Sequence, residues 1–272
     1  SLRKRQLMKI FISGSNGFIG KRLKNLLLSQ NFEITAPNSK ECDLLQQSSL
    51  DQFNNISFDK IFHLASWTQA GDFCKKFQGD QWIINQKINT SIVDWWSNKQ
   101  PQAKLISIGT STSYDPRLPM IEANYLEGSP IETFYSYAMT KRMLEVGLRT
   151  IANQFDTKYL TLVPSTIYGP NYHNDGRQMH FIFDLVKKIM LGKLKNQKVI
   201  LWGDGFQKRE VVFIDDFIHG MLFLEKKCSN ELINICAGKE FTIKQFAEII
   251  CRILDYDQKK IIYDTSKYVG AR

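Results

Sequence analysis

Three residues in the middle of the chain have side chains that suit proton exchange with a carbonyl oxygen. Tyr137 and Lys141 are four positions apart in a stretch with helical spacing, which places both on one face, one turn apart. Because an ammonium beside a phenol favours the phenolate, we expect Lys141 to lower the pKa of Tyr137 and ready it for proton exchange. The pair also fits a tyrosine packed in a helix interface beside a solvated lysine.

The third residue is Thr110, which follows the apolar run 105–109 at the end of an expected strand. A hydroxyl at that strand end can hydrogen-bond the same carbonyl oxygen that Tyr137 protonates. Such hydroxyls also simply terminate strands, so this feature is read together with Tyr137 and Lys141.

A glycine-rich turn precedes all three. Gly14, Gly17 and Gly20 follow the apolar strand 10–12 and open a helix with apolar residues at helical spacing. Glycines permit a tight turn and a close approach of backbone to a ligand, and the helix N-terminus attracts a pyrophosphate. The spacing predicts a dinucleotide site that includes Asn16, Phe18 and Ile19, although an ordinary strand-to-helix turn has the same glycines.

The residues that follow the second expected strand, 32–36, indicate which dinucleotide binds. An acid at the end of this strand would bind a free ribose 2′-hydroxyl, but Ser39 and Lys40 occupy this place instead. Both can bond a 2′-phosphate, which predicts NADP(H) in preference to NAD(H), unless Lys40 is only a surface lysine. Asp43 is placed to reach the adenine amino group or to cap a turn.

Apolar runs at 61–65, 105–109 and 159–163 predict three more strands, with a helix at 82–96 between two of them. Alternation of strands and helices predicts an α/β, Rossmann-like, doubly wound parallel sheet. We expect a dinucleotide-binding domain over 1–166, with returning segments near 211–236. A smaller interleaved substrate lobe over 167–272 ends without a closing element, as a truncated lobe would. Within it, helices are expected at 181–191 and 215–225, and Thr242 with Gln245 predicts a capping box.

Composition sets the remaining limits. No apolar run is long enough to span a bilayer, and the five cysteines form no C-x-x-C pair or zinc spacing, so we expect a cytoplasmic protein with no metal and no membrane partner. The net charge of +9 suits an anionic partner. Because the lysines are spread along the chain, we expect no nucleic acid; a phosphorylated small molecule or a lysine-rich surface explains the charge.

Taken in order, these motifs resemble the extended short-chain dehydrogenase/reductase family. The likeness is carried by the glycine turn, His63-Leu64-Ala65-Ser66, Asn89, Thr110, Tyr137 with Lys141, and Tyr168-Gly169-Pro170. It implies Thr110, Tyr137 and Lys141 as a catalytic triad, with Lys141 also holding the nicotinamide ribose. It implies a nucleotide-sugar substrate and a homodimer built on the helix pair that includes the Tyr137 helix. The further cofactor contacts that it implies are Leu44, Leu64, Ala65, Ser66 and Pro164.

Within that family the chain resembles the GDP-fucose synthase-like group of nucleotide-sugar C4 reductases. The resemblance implies that Thr166, Lys188, Trp202 and Arg209 contact a GDP-sugar and that His180 is an acid or base. Lys188 and Arg209 also have the charge to hold a diphosphate. Thr112 stands where epimerising members carry a cysteine, and a threonine hydroxyl cannot deprotonate carbon at neutral pH. Thr112 therefore argues against epimerisation at C3 and C5, whereas His180, if it is an acid or base, leaves it open.

The sequence thus predicts NADPH-dependent reduction of the C4 ketone of a GDP-linked 4-keto sugar. Two alternatives remain open: a nucleotide-sugar 4-epimerase or 4-dehydrogenase with tightly bound NAD, and a non-catalytic NADP(H)-sensing module.

Overall fold

The computed structural model describes residues 7–267. The strands are β1 (Lys9–Ser13), β2 (Glu33–Thr35), β3 (Lys60–His63), β4 (Lys104–Ile108), β5 (Tyr159–Pro164), β6 (Thr166–Tyr168), β7 (Val199–Trp202), β8 (Lys208–Phe213), β9 (Glu231–Ile235), β10 (Glu240–Thr242) and β11 (Ile261–Asp264). The α-helices are α1 (Phe18–Leu28), α2 (Phe73–Lys76), α3 (Gln78–Lys99), α4 (Tyr135–Phe155), α5 (Phe181–Leu194), α6 (Ile214–Lys227) and α7 (Ile243–Leu254).

Six strands form one parallel sheet in the order β2-β1-β3-β4-β5-β9. The first five are the strands expected from the apolar runs, and the Rossmann-like α/β class is confirmed. Strand β9 lies within the returning segments expected near 211–236 but was not predicted as a strand, because its residues, Glu-Leu-Ile-Asn-Ile, form neither a continuous apolar run nor a regular alternation. All these strands end at one edge, where ligands bind in sheets of this kind.

Neighbouring residues of the central strands face opposite layers of helices. Phe11 and Leu105 pack with Trp96 of α3 and Leu148 of α4. The residues next to them, Ile10, Ile12 and Ile106, face α1 and α6 on the other side. Burial on both faces explains why these strands read as continuous apolar runs.

The segment after β5 builds a smaller layer with two sheets of its own. One has the order β10-β8-β6 and the other pairs β11 with β7 in parallel. Helices α5 and α7 pack together over β7 around Ile189, Leu201 and Ile250. We interpret this layer as the substrate lobe, while α6 and β9 lie against or within the main sheet.

Two details of the helices follow from the sequence. The capping box is confirmed, because the Thr242 side chain accepts a hydrogen bond from Gln245 N and the Gln245 side chain accepts one from Thr242 N. Helix α3 extends beyond the expected 82–96 at both ends, through polar residues that periodicity does not detect.

Within residues 7–267, no helix combines the length and apolar character that a membrane crossing requires.

Candidate active site

The glycine-rich turn joins β1 to α1 with almost no free space. Gly14 has a φ of +71°, and a Cβ there would lie 2.6 Å from Ala65 N. A Cβ on Gly20 would lie 2.2 Å from Gly14 O. No side chain caps α1, and its first turn, which follows Asn16 and includes Ile19, holds no acid, so no side chain among residues 7–267 satisfies the N–H groups of that turn. This cradle fits a dinucleotide pyrophosphate.

Buried polar groups fix the strand ends around this turn. His63 lies between Ser13 Oγ, 2.8 Å from Nδ1, and Asn89 Oδ1, 2.9 Å from Nε2. Burial lowers the pKa of His63 to about 4, so the ring is neutral near pH 7. Ser13 Oγ also accepts hydrogen bonds from Leu64 N and Ala65 N, which places this predicted cofactor segment directly against Gly14.

The loop after β2 is a tight turn that displays Ser39 and Lys40. Asn38 Oδ1 accepts a hydrogen bond from Lys40 N at 2.8 Å, and the Glu41 carboxylate accepts one from Asn38 N at 2.8 Å. Both Ser39 and Lys40 are exposed at its tip. Asp43 Oδ1 accepts a hydrogen bond from Leu45 N, so Asp43 caps a turn here, and Leu44 beside it is buried.

Lys141 is buried and fixed against the end of β4. Only 8% of its surface is exposed, and its ammonium donates a hydrogen bond to Ile108 O at 2.8 Å. Burial lowers the pKa of Lys141 to about 8. The ammonium lies 5.9 Å from the centre of the Tyr137 ring. Helix α4 and strand β4 therefore bring Tyr137 and Lys141 together at the ligand-binding edge of the sheet.

The expected lowering of the Tyr137 pKa is wrong. Burial raises the pKa of Tyr137 to about 12, and a hydrogen bond with Ser66 opposes this rise only in part. Lys141 directs its ammonium to a backbone carbonyl, so the phenol loses more from desolvation than it gains from the cation. Tyr137 is therefore protonated throughout the neutral range, which is the state of a proton donor.

Two threonine hydroxyls meet at the end of β4. Thr110 Oγ1 lies 2.9 Å from Thr112 Oγ1 and accepts a hydrogen bond from Thr112 N at 3.3 Å. Thr110 N donates a longer bond, 3.4 Å, to the hydroxyl of buried Tyr125. Residues 111–113 form a short 3₁₀ turn that Thr110 caps. Thr112 thus faces Thr110, the candidate catalytic hydroxyl.

Sequence reasoning missed Arg142, which holds this turn in place. Its buried guanidinium donates hydrogen bonds to four backbone carbonyls, those of Ser113, Leu126, Glu127 and Gly128. It also missed Asn85, whose Oδ1 accepts hydrogen bonds from Ser66 Oγ at 3.2 Å and Trp67 N at 2.8 Å. The partners of Arg142 are backbone carbonyls, which any residue type supplies, so the sequence shows no matching side chains. Only the position of Arg142 on the inner face of α4 could have indicated its role.

An aromatic cluster joins the glycine turn to the substrate lobe. The Phe18 ring packs edge-on against Tyr172 and Phe183, whose own rings stack 3.8 Å apart. His180 lies directly before α5, with its ring centre 6.1 Å from that of Tyr172. Desolvation, followed by nearby His173, lowers the pKa of His180. Its imidazole is thus neutral near pH 7 and lies at the edge of this aromatic cluster.

The remaining substrate candidates lie on separate elements of the lobe. Lys188 on α5 forms an ion pair with Asp184 at 2.7 Å, so a phosphate would compete with that carboxylate. Trp202 ends β7 and is mostly exposed. Arg209 on β8 is partly buried, burial lowers its pKa, and its guanidinium donates to Lys208 O. Pro164 and Thr166 stand at the β5–β6 junction, beside the end of β9.

The order of the six parallel strands and the glycine turn after β1 define a Rossmann-like α/β fold. The chain belongs to the NAD dependent epimerase/dehydratase family, whose model matches residues 10–236. It is 27% identical to the probable GDP-L-fucose synthase 1 of Oryza sativa subsp. japonica, over 96% of this chain and 81% of that protein. It is 26% identical to the GDP-L-colitose synthase of Yersinia pseudotuberculosis, over 97% and 88% of the two chains.

Solved structures show the same fold. A GDP-mannoheptose C4 reductase from Campylobacter jejuni with NADP bound superimposes with a TM-score of 0.85. The match covers 95% of this chain and 88% of that one, at 20% identity. At this identity the likeness concerns the fold alone.

Proposed function

We propose that this protein reduces the C4 ketone of a GDP-linked 4-keto sugar with NADPH. The observation that carries the proposal is the group at the end of β4: a protonated Tyr137, the Lys141 ammonium fixed at Ile108 O, and the Thr110 hydroxyl. A phenol that keeps its proton suits reduction, in which the carbonyl oxygen must receive one. The GDP-sugar enzymes among the relatives support the nucleotide-sugar class.

Each residue has one task in this scheme. NADPH, when bound at the glycine turn, supplies the hydride that adds to C4. Thr110 donates a hydrogen bond to the carbonyl oxygen, and Tyr137 transfers its proton to that oxygen, leaving a phenolate. The Lys141 ammonium stabilises this phenolate because the site is largely dry, and solvent then returns the proton to Tyr137. The net products are a secondary alcohol and NADP⁺.

The cofactor preference rests on the turn after β2. Ser39 and Lys40 are exposed at its tip, and the carboxylate of Glu41 is occupied by Asn38 N. A hydroxyl and an ammonium there favour a 2′-phosphate over a free 2′-hydroxyl.

We also propose a homodimer through α3 and α4. Trp82 and Met143 on these helices are 53% and 47% exposed, although the two helices pack closely on each other. Exposed apolar side chains on a helix pair suit a second copy of the same face. Light scattering at several protein concentrations tests this, and a monomer at every concentration contradicts it.

The test of function is incubation with NADPH and a GDP-4-keto-6-deoxy sugar, followed by the loss of NADPH absorbance and by analysis of the sugar product. We expect turnover by the native chain. In Tyr137→Phe we expect at least a hundredfold loss, because the proton donor is gone, with NADPH affinity changed less than about threefold.

Other outcomes would identify the alternatives. Purified protein that carries bound NAD and interconverts C4 epimers without added NADPH would show an epimerase. NADPH binding without turnover of any 4-keto sugar would show a sensing module. Full activity of Tyr137→Phe would show that another acid protonates the ketone.

A further inference from the structure

The Thr110 and Thr112 hydroxyls after β4 are hydrogen-bonded to each other, so the direction of that hydrogen bond decides which hydroxyl proton is left for a ligand. Thr110 Oγ1 carries one proton and two lone pairs. One lone pair accepts the hydrogen bond from Thr112 N, and Thr112 Oγ1 lies 2.9 Å from Thr110 Oγ1. Within the pair either hydroxyl can donate. The ligand decides which one does so.

A ketone oxygen only accepts hydrogen bonds. If Thr110 donates to Thr112, its single proton is used within the pair and none remains for the ketone. If Thr112 donates to Thr110, both lone pairs of Thr110 Oγ1 are filled and its proton points away from the pair. A bound ketone therefore selects the second arrangement.

We propose that Thr112 is a positioning residue, whose hydroxyl donates to Thr110 Oγ1 and so commits the Thr110 proton to the substrate carbonyl. This inference rests on the proposed function and deepens it. It gives Thr112 a task different from proton abstraction at carbon, for which its hydroxyl is unsuited. A C4 alcohol can itself donate to Thr110, so the requirement holds for the ketone and not for the alcohol.

The kinetic test compares the native chain with Thr112→Val, which keeps the shape but loses the hydroxyl, and Thr112→Ser, which keeps the hydroxyl. We expect kcat to fall about tenfold in Thr112→Val, less than the hundredfold or more for loss of a direct donor, and to return to within about threefold in Thr112→Ser. NADPH affinity should not change. Ser111→Ala removes a hydroxyl from the same turn outside the pair and should leave kcat unchanged.

A double-mutant cycle separates positioning from an independent effect. In a Thr110→Ala background, Thr112→Val should cost less than about twofold, because the group through which it acts is absent. The same tenfold loss in both backgrounds would overturn the proposal. So would unchanged kcat in Thr112→Val.

A binding measurement gives a readout that needs no turnover. Calorimetry with the NADP⁺-bound protein should show Thr112→Val weakening the GDP-4-keto-6-deoxy sugar about fivefold or more, while the C4 alcohol product binds as to the native chain. Equal weakening of both ligands would indicate a merely structural role and refute the proposal. A native chain that neither binds nor reduces any GDP-4-keto sugar would overturn the proposed function itself, whereas an active native chain with an unaffected Thr112→Val overturns only this inference.

Discussion

The buried ammonium of Lys141 makes the pH dependence of reduction a direct test of the site. Its pKa is about 8 because burial disfavours the charge. With that value, about nine-tenths of the side chain is protonated near pH 7 and about one-tenth near pH 9. If the ammonium stabilises the phenolate left on Tyr137, kcat/KM should fall about tenfold between these pH values. Tyr137, with a pKa of about 12, keeps its proton and adds no loss in this range.

The assay is the initial rate of NADPH loss at limiting GDP-4-keto-6-deoxy sugar across this range. The affinity for NADPH is measured at each pH, which separates weaker cofactor binding from a slower proton step. Return of a sample from pH 9 to pH 7 should restore the full rate, which excludes unfolding. A profile that stays flat to pH 10, or one that already falls below pH 7, would refute the assignment of this ammonium.

The lowered pKa of Lys141 also predicts how the free energy of unfolding changes with pH, which can be measured without substrate. The pKa of Lys141 is about 8 in the folded chain and 10.5 in the reference state. Between these values the unfolded chain binds more protons, so the contribution of Lys141 to the free energy of unfolding rises with pH. Relative to Lys141→Met, the native chain should gain about 3 kcal/mol from pH 8 to pH 10.5. Denaturant unfolding of both chains measures this difference, and a constant difference would contradict the burial of the charge.

Three further substitutions test the framework of the site. Gly14→Ala should lower the free energy of unfolding by about 2 kcal/mol or more and abolish NADPH binding, because φ is +71° and the backbone of Ala65 fills the place of a Cβ. Gly79→Ala is the control and should fold normally, because nothing lies within 4 Å of a Cβ there. Lys40→Glu should weaken NADPH about tenfold and leave NADH within about twofold, as titration of cofactor fluorescence would show; equal weakening of both would remove this lysine from the 2′-phosphate site. Arg142→Met should lower the free energy of unfolding in denaturant by about 3 kcal/mol or more, because four carbonyls lose their hydrogen-bond donor. Arg149→Met, at an exposed position of the same helix, should lower it by about 0.5 kcal/mol or less. Equal losses would contradict the role of Arg142 in holding the turn.

The centre of the main sheet was largely predictable because its strands β1, β3, β4 and β5 are buried on both faces. Burial on two sides requires continuous apolar runs, and the run 10–12 marks β1 without any tertiary information. The returning strand β9 and the short β6 were not predictable in this way. Residues of β9 are only partly covered, and β6 has three residues, so neither carries a periodic signal.

For the site, helical spacing correctly placed Tyr137 one turn from Lys141 but gave the wrong direction for the tyrosine pKa. Spacing fixes which side chains are neighbours on a helix, but not how much water each loses. That loss depends on elements distant in sequence, such as the loop that carries Ser66. The partner of Lys141 is likewise a backbone carbonyl on another strand, which residue types cannot reveal.

One helix holds all three candidate catalytic groups in place. Tyr137 and Lys141 belong to α4, and the next residue, Arg142, fastens the turn that follows Thr110. The lobe that would carry the sugar contacts lies on other elements, α5 and β7. Under the proposed function, we expect exchange of lobe segments to change which sugar is accepted, while the segment from β4 to α4 is kept unchanged so that Thr110, Tyr137 and Lys141 stay together.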